Sequence, residues 1–149
     1  RFHVSISDRA YVLGSDIVAA LDLKDATGPG PEVIGLRGAA APGTYQLFVH
    51  NFSAAGNGAS MALSDTSFAR IDIYQDNRVI ATFFPPAGAA GTIWKVFEYD
   101  GARITPINQV CHVADVTELP MTTCVDGVTG AVPATSGAAP RPLPQYRER

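Results

Sequence analysis

Residues 70 to 84 read RIDIYQDNRVIATFF and residues 92 to 107 read TIWKVFEYDGARITPI. Ala69, just ahead of the first stretch, falls with Ile71 and Ile73 on one face at period two, and after Asp76 and Asn77 the run Arg78 to Phe84 returns to β-branched and aromatic residues. An Asp-Asn pair between two such runs predicts a tight hairpin, because both side chains tolerate the positive φ that a two-residue turn demands. The second stretch repeats the arrangement around Asp100 and Gly101, the strongest hairpin signal in the chain. Working outward, Phe2, Val4 and Ile6 alternate with His3, Ser5 and Ser7, and Tyr45, Leu47 and Val49 alternate with Gln46, Phe48 and His50. The stretch Asp16 to Lys24 has no helix stop and passes through Leu21 and Leu23 into a Thr-Gly-Pro-Gly-Pro turn, so it reads as a strand. Residues 54 to 66, small and polar with Gly56 and Gly58, read as a long hairpin loop. About eight short strands result, and the expected fold is an all-β antiparallel β-sandwich.

Composition agrees with that class. The chain has 149 residues, 46% of them hydrophobic and 17% charged, with 14 Gly and 11 Pro. So many turn formers exclude a coiled coil or helical bundle, and the apolar share excludes a disordered acidic chain. A net charge of −3, with two lysines against nine arginines, provides no broad basic surface for phosphates, so nucleic acid is not an expected partner. No apolar stretch approaches the ~20 residues needed to span a bilayer as a helix. From Gly127 onward four prolines, three glycines and a single aromatic, Tyr146, show no periodicity. The expected organisation is a sandwich over residues 1–126 and an extended Pro-rich tail over 127–149. Charge divides at the same place, −5 before it and +2 after it.

Cys111 and Cys124 enclose twelve residues containing Pro120, which suits a local disulfide closing the loop 111–124 in an oxidising compartment. In the chain-entropy view such a closure contributes on the order of 3 kcal/mol. The sequence begins at Arg1 rather than Met. It is read here as a mature product or fragment from which a secretory leader has been removed, and the expected location is extracellular or at the cell surface. Asn51, Phe52 and Ser53 form a glycosylation sequon, a pattern that also arises often by chance.

At ALDLKDATGPGPEVI (20–34), PGTYQLFVHNFS (42–53), RIDIYQDNRVIATFFPP (70–86) and GTIWKVFEYDGARITPIN (91–108) the chain resembles secreted bacterial YfaP-like β-sandwich domains found beside adhesion modules in surface proteins. The resemblance covers about residues 16–108. It rests chiefly on Gly-Pro-Glu at 30–32, Gly-Thr-Tyr at 43–45, Val-His-Asn at 49–51, and Trp94 followed by Ile104-Thr-Pro. It implies an immunoglobulin-like or jelly-roll-like sandwich without assigned catalysis. Related domains often carry more carboxylates where this chain has Lys24 and Thr27. Asp16, Asp22, Asp25 and Glu32 would offer four side chains to a calcium ion, which takes six to eight oxygens. An ammonium at Lys24 opposes that use, so a solvated acidic loop is the simpler reading and no metal is expected.

Catalysis has little to stand on. The three histidines, His3, His50 and His112, lie in no motif, and the nearest approach to a nucleophile elbow is Gly58-Ala59-Ser60-Met61-Ala62. A copper set of His50, Cys111, His112 and Met121 would need Cys111 free, and adjacent residues 111 and 112 point to opposite faces of a strand. No cofactor is expected. Trp94, Tyr99, Tyr74 and Tyr45 are the candidates for stacking on sugars, although a lone Trp in a sandwich is more often a core filler. The expected function is therefore that of a non-enzymatic extracellular structural protein, a homo-oligomer or polymer forming a filament or surface layer. Assembly would run through the amphipathic start (Phe2, Val4, Ile6) and the basic tail (Arg141, Leu143, Tyr146, Arg147). The alternative is a monomeric carbohydrate-binding or adhesion module with a polysaccharide as partner.

Overall fold

The computed structural model describes residues 4–5, 7–23, 31–36, 43–113 and 125–129. The fold is all-β and antiparallel, the architecture of a β-sandwich. Among the described residues there are nine strands: β1 (Ala10–Leu13), β2 (Asp16–Leu23), β3 (Val33–Leu36), β4 (Tyr45–His50), β5 (Ile71–Gln75), β6 (Arg78–Phe83), β7 (Ile93–Tyr99), β8 (Ile104–His112) and β9 (Val125–Thr129). The chain divides into two compact units, one bounded by Arg1–Gly43 with Pro142–Arg149 and the other by Thr44–Arg141. Composition gave no sign of a division at Gly43.

In the first unit β1, β2 and β3 form one sheet in that order. Gly14, at φ 65°, supplies the left-handed residue of the short β1–β2 turn. The central strand holds the buried side chains, Val18, Ala19 and Leu21, while Arg9 donates from its guanidinium to the Leu21 carbonyl at 3.1 Å. Ahead of β1 the described residues 4–5 and 7–9 are not in a strand. Ser5 sits in a bend, its hydroxyl accepting from the N–H groups of Ser7 and Asp8 at 3.3 Å each, and its N–H donates to the Asp8 carbonyl. At Ser5, Ser7 and Asp8 a serine-capped turn takes the place of a ladder, a competition that side-chain hydroxyls often win in short polar segments; Phe2, His3 and Ile6 lie outside the described residues.

The second unit is a two-layer sandwich. One layer is the sheet β4-β7-β8-β9 and the other is the β5-β6 hairpin. Asp76 and Asn77 take φ of 50° and 62° between Gln75 and Arg78, which are paired. This is the two-residue turn that the sequence predicts. The second hairpin is longer than its Asp-Gly pair implies, running from Asp100 to Arg103. The Asp100 carboxylate accepts from the N–H groups of Ala102 and Arg103 at 2.9 and 2.7 Å, and these bonds hold its pKa below the ordinary carboxylate range.

Between the layers lie Phe83 and Ala81 from β6, Trp94 and Val96 from β7, Val110 from β8, and Leu63 and Ala89 from the connections. The Phe83 and Phe97 rings approach to 5.9 Å. Residues 54–66 are not the plain loop expected: Phe52–Ala54 forms a short 3-10 turn and Ala62–Thr66 a single π-helical turn. That second turn drives Leu63 into the core and pins the connection after β6. Ser64 donates to the Ala89 carbonyl at 2.9 Å, the Gly88 N–H reaches Asp65 at 3.0 Å, and the Gly91 N–H reaches the Ser60 carbonyl at 2.8 Å. Gly91 lies directly against the Cys111 backbone, leaving no volume for a Cβ. Replacement of Gly91 by Ala is expected to cost about 3 kcal/mol through overpacking against a main chain that cannot yield. Gly101, at φ 94° but in open space, is expected to cost no more than about 2 kcal/mol when changed to Ala. Urea denaturation of the two variants beside wild type measures the difference.

Candidate interaction surface

Strand β7 decides which aromatics face inward. Trp94 is completely buried, and its indole N–H donates to the Asn108 side-chain oxygen at 2.9 Å. The partner strand breaks register opposite the Lys95 to Phe97 step, and beside that break Asn108 adopts φ 48°, a conformation that Asn reaches more readily than most residues. Tyr45 and Tyr99 pair across β4 and β7 with ring centroids 6.2 Å apart, and the Tyr99 hydroxyl is already bonded to the Gly101 carbonyl. Of the four rings proposed for sugar stacking, only Tyr74 stands clearly in solvent, at 64% exposure.

Exposed rings that the sequence reading passed over lie nearby. Phe68 precedes β5 at 93% exposure with a left-handed φ of 51°, an uncommon backbone for a bulky residue. Phe84 follows the fully buried Phe83 and turns out to 58% exposure. With Ile71 paired to Phe83 and Asp72 to Thr82, the outward face of the hairpin carries Arg70, Asp72 and Thr82 between Phe84 at one end and Tyr74 at the other. Thr82 donates to Asp72 at 2.7 Å, and Arg70 bridges the same carboxylate at 2.8 Å. By strand rise alone the two rings stand about 13 Å apart. The signal for this face was present in the Phe83-Phe84 pair, since strand alternation allows only one of two adjacent rings inside.

The first unit exposes aliphatics instead. Val12, Leu13, Ile17, Val33, Ile34 and Leu36 are all 36–50% exposed. Strands β1 and β3 are edges, with no described strand on their outer sides.

The remaining sequence candidates are dispersed. Val4 is half-buried in an irregular segment, while Phe2, Ile6, Arg141, Leu143, Tyr146 and Arg147 lie outside the described residues. Asp16 and Asp22 are exposed on β2 and Glu32 is exposed ahead of β3, while Asp25 lies outside the described residues. Among the described residues no three His, Cys, Asp or Glu groups come together as a metal site. The Asp22 carboxylate instead lies over Gly35, 2.9 Å from where a Cβ would stand. Asn51, half-buried, follows β4, its backbone N–H bonded to the Thr92 carbonyl at 2.8 Å. Cys111 is buried with Ile93 and Val113 and does not stand as a free thiol; Cys124 lies outside the described residues.

Each described histidine meets a neighbouring side chain. His112 Nδ1 lies 3.3 Å from the Thr92 hydroxyl. His50 meets the Phe52 ring edge-on at 5.9 Å, and its buried Nε2 has no hydrogen-bond partner among the described residues. No family model, no curated protein and no solved structure matches this chain.

Burial lowers the His50 pKa from its ordinary value, so the unfolded chain takes up a proton near pH 6.5 while the folded chain resists it. The His50 contribution to stability is therefore whole above about pH 6.5 and is lost as pH falls through the depressed folded value. Melting temperature is expected to decline between pH 7.5 and 5.0, and His50→Phe, which cannot titrate, is expected to decline less over the same interval.

Proposed function

We propose that this chain is a non-enzymatic extracellular structural protein that self-associates through its sheet edges. The observation carrying this reading is the imbalance of the three-stranded sheet: three buried side chains against six large aliphatics left 36–50% exposed, on a sheet whose two outer strands have no described neighbour. Large aliphatics left exposed beside open edges favour an interaction, and open edges supply the main-chain groups that make such contact specific. In this reading the terminal segments take part through Val4 and through residues outside those described. The YfaP-like resemblance, with its secreted surface setting, agrees with a structural role, as does a Cys111–Cys124 disulfide. Exposed Phe68, Tyr74 and Phe84 flanking the Arg70-Asp72-Thr82 cluster favour polysaccharide binding as a second reading, since rings cover the apolar faces of sugars while the charged centre meets hydroxyls.

Light scattering after gel filtration is expected to show a mass that rises with protein concentration. A monomer at every concentration, retained by immobilised polysaccharide and released by Tyr74→Ala or Phe84→Ala, would replace the first reading with the second. For the disulfide, alkylation of the denatured protein without reductant is expected to add no mass, and with reductant to add two groups.

A further inference from the structure

We propose that Asn57-Gly58 is a site of self-modification, where the folded chain deamidates Asn57 without an enzyme and the isoaspartyl product disturbs the turn that carries it. The inference is independent of the self-association reading. The reaction needs the main-chain nitrogen of the next residue to reach the asparagine side-chain carbon, and a side chain on that next residue crowds the approach. Among the asparagines of the chain only Asn57 precedes a glycine; Phe52, Arg78 and Gln109 follow Asn51, Asn77 and Asn108.

The fold leaves both reacting groups open. Asn57 is exposed, in the connection between the Phe52–Ala54 turn and the Ala62–Thr66 turn. Its N–H donates to the Ala54 carbonyl at 2.9 Å, and its carbonyl accepts from the Ser60 N–H at 3.0 Å, so Gly58 stands second in a four-residue turn. Among the described residues the Asn57 side chain has no hydrogen bond and the Gly58 N–H has no acceptor. Asp100-Gly101 offers the same steric opening but not the same chemistry. The Asp100 carboxylate accepts from the Ala102 and Arg103 N–H groups at 2.9 and 2.7 Å, which holds it as the anion, a poor electrophile.

In the first step Gly58 N–H loses its proton to solvent base, its nitrogen bonds to Asn57 Cγ, and the side-chain nitrogen leaves as ammonia. Water then opens the cyclic imide at either carbonyl. One opening gives an aspartyl residue. The other gives an isoaspartyl residue, whose main chain runs through the former side chain and is longer by a methylene. In sum, amide and water become carboxylic acid and ammonia. The longer chain falls beside a close contact, because Gly58 faces the His112 ring, whose Cγ lies 2.9 Å from where a Cβ would stand. It also falls between two anchors, the Asn51 N–H on the Thr92 carbonyl and the Ser60 carbonyl on the Gly91 N–H, at 2.8 Å each.

Incubation of the full chain at neutral and at mildly alkaline pH, followed by peptide mapping with fragmentation, tests this. Asn57 is expected to gain the mass difference between amide and acid, faster at the higher pH and about tenfold or more faster than Asn51, Asn77 or Asn108, since only there is the intramolecular attack unobstructed. Two isomeric peptides are expected, one of them a substrate for an isoaspartyl methyltransferase. Asn57→Gln, which would have to close a six-membered ring, is expected to lose the conversion. The separated isoaspartyl form is expected to melt below Asn57→Asp, which carries the same charge on an ordinary main chain. Folded protein that keeps Asn57 intact, above all where guanidinium-unfolded chain converts it, would overturn the proposal, as would equal conversion of all the asparagines. An isoaspartyl form that melts with Asn57→Asp would overturn its effect on the turn.

Discussion

The second unit is organised around a polar demand inside an apolar layer. Burying the Trp94 indole contributes large apolar area to the core, but its N–H loses water and needs an acceptor there. Asn108 provides it at 2.9 Å from the next strand, itself buried and held at left-handed φ where the β7–β8 ladder breaks register. That break, together with its counterpart between β4 and β7, lets Val96 and Phe97 both join the core across from the β5-β6 hairpin. An unsatisfied buried donor would cost about 1 to 3 kcal/mol, a large share of the stability of one domain. The bond therefore fixes which residues face inward, and so which rings remain for solvent.

Most of the strand framework was legible because local chemistry and tertiary packing agree there. Asp76 and Asn77 favour positive φ and occupy it, and β2 runs from Asp16 to Leu23 where period-two alternation competed with a helical reading. The misplaced elements are those where a few hydrogen bonds outweigh pattern. At Ser5 a hydroxyl captures the N–H groups that a strand would have presented to a neighbour. At Ala62–Thr66 no periodicity announces a helical turn, because its purpose is tertiary: one buried leucine and side-chain bonds that anchor the segment before β7.

The candidate surface was less legible, for a physical reason. A sequence indicates which residues are aromatic, but exposure depends on which strand face meets the core. Trp94 and Tyr99 looked like a platform and are occupied by packing and hydrogen bonds, whereas Phe68 and Phe84 become prominent only once Ile71 and Phe83 are fixed inward. His50 and His112 are engaged by a ring and a threonine, and the Asp72 carboxylate is already shared between Arg70 and Thr82.

Edge strands in monomeric β-proteins are commonly protected by lysine, proline, bulges or inward charges. This chain has only two lysines, Lys24 and Lys95, and Lys95 lies in β7, between β4 and β8. Strand β6 carries Arg78 at its start, whereas neither β1 nor β3 contains a charge. Brevity is the protection that remains: β1 and β3 have four residues each, so either edge offers few main-chain groups to a neighbour.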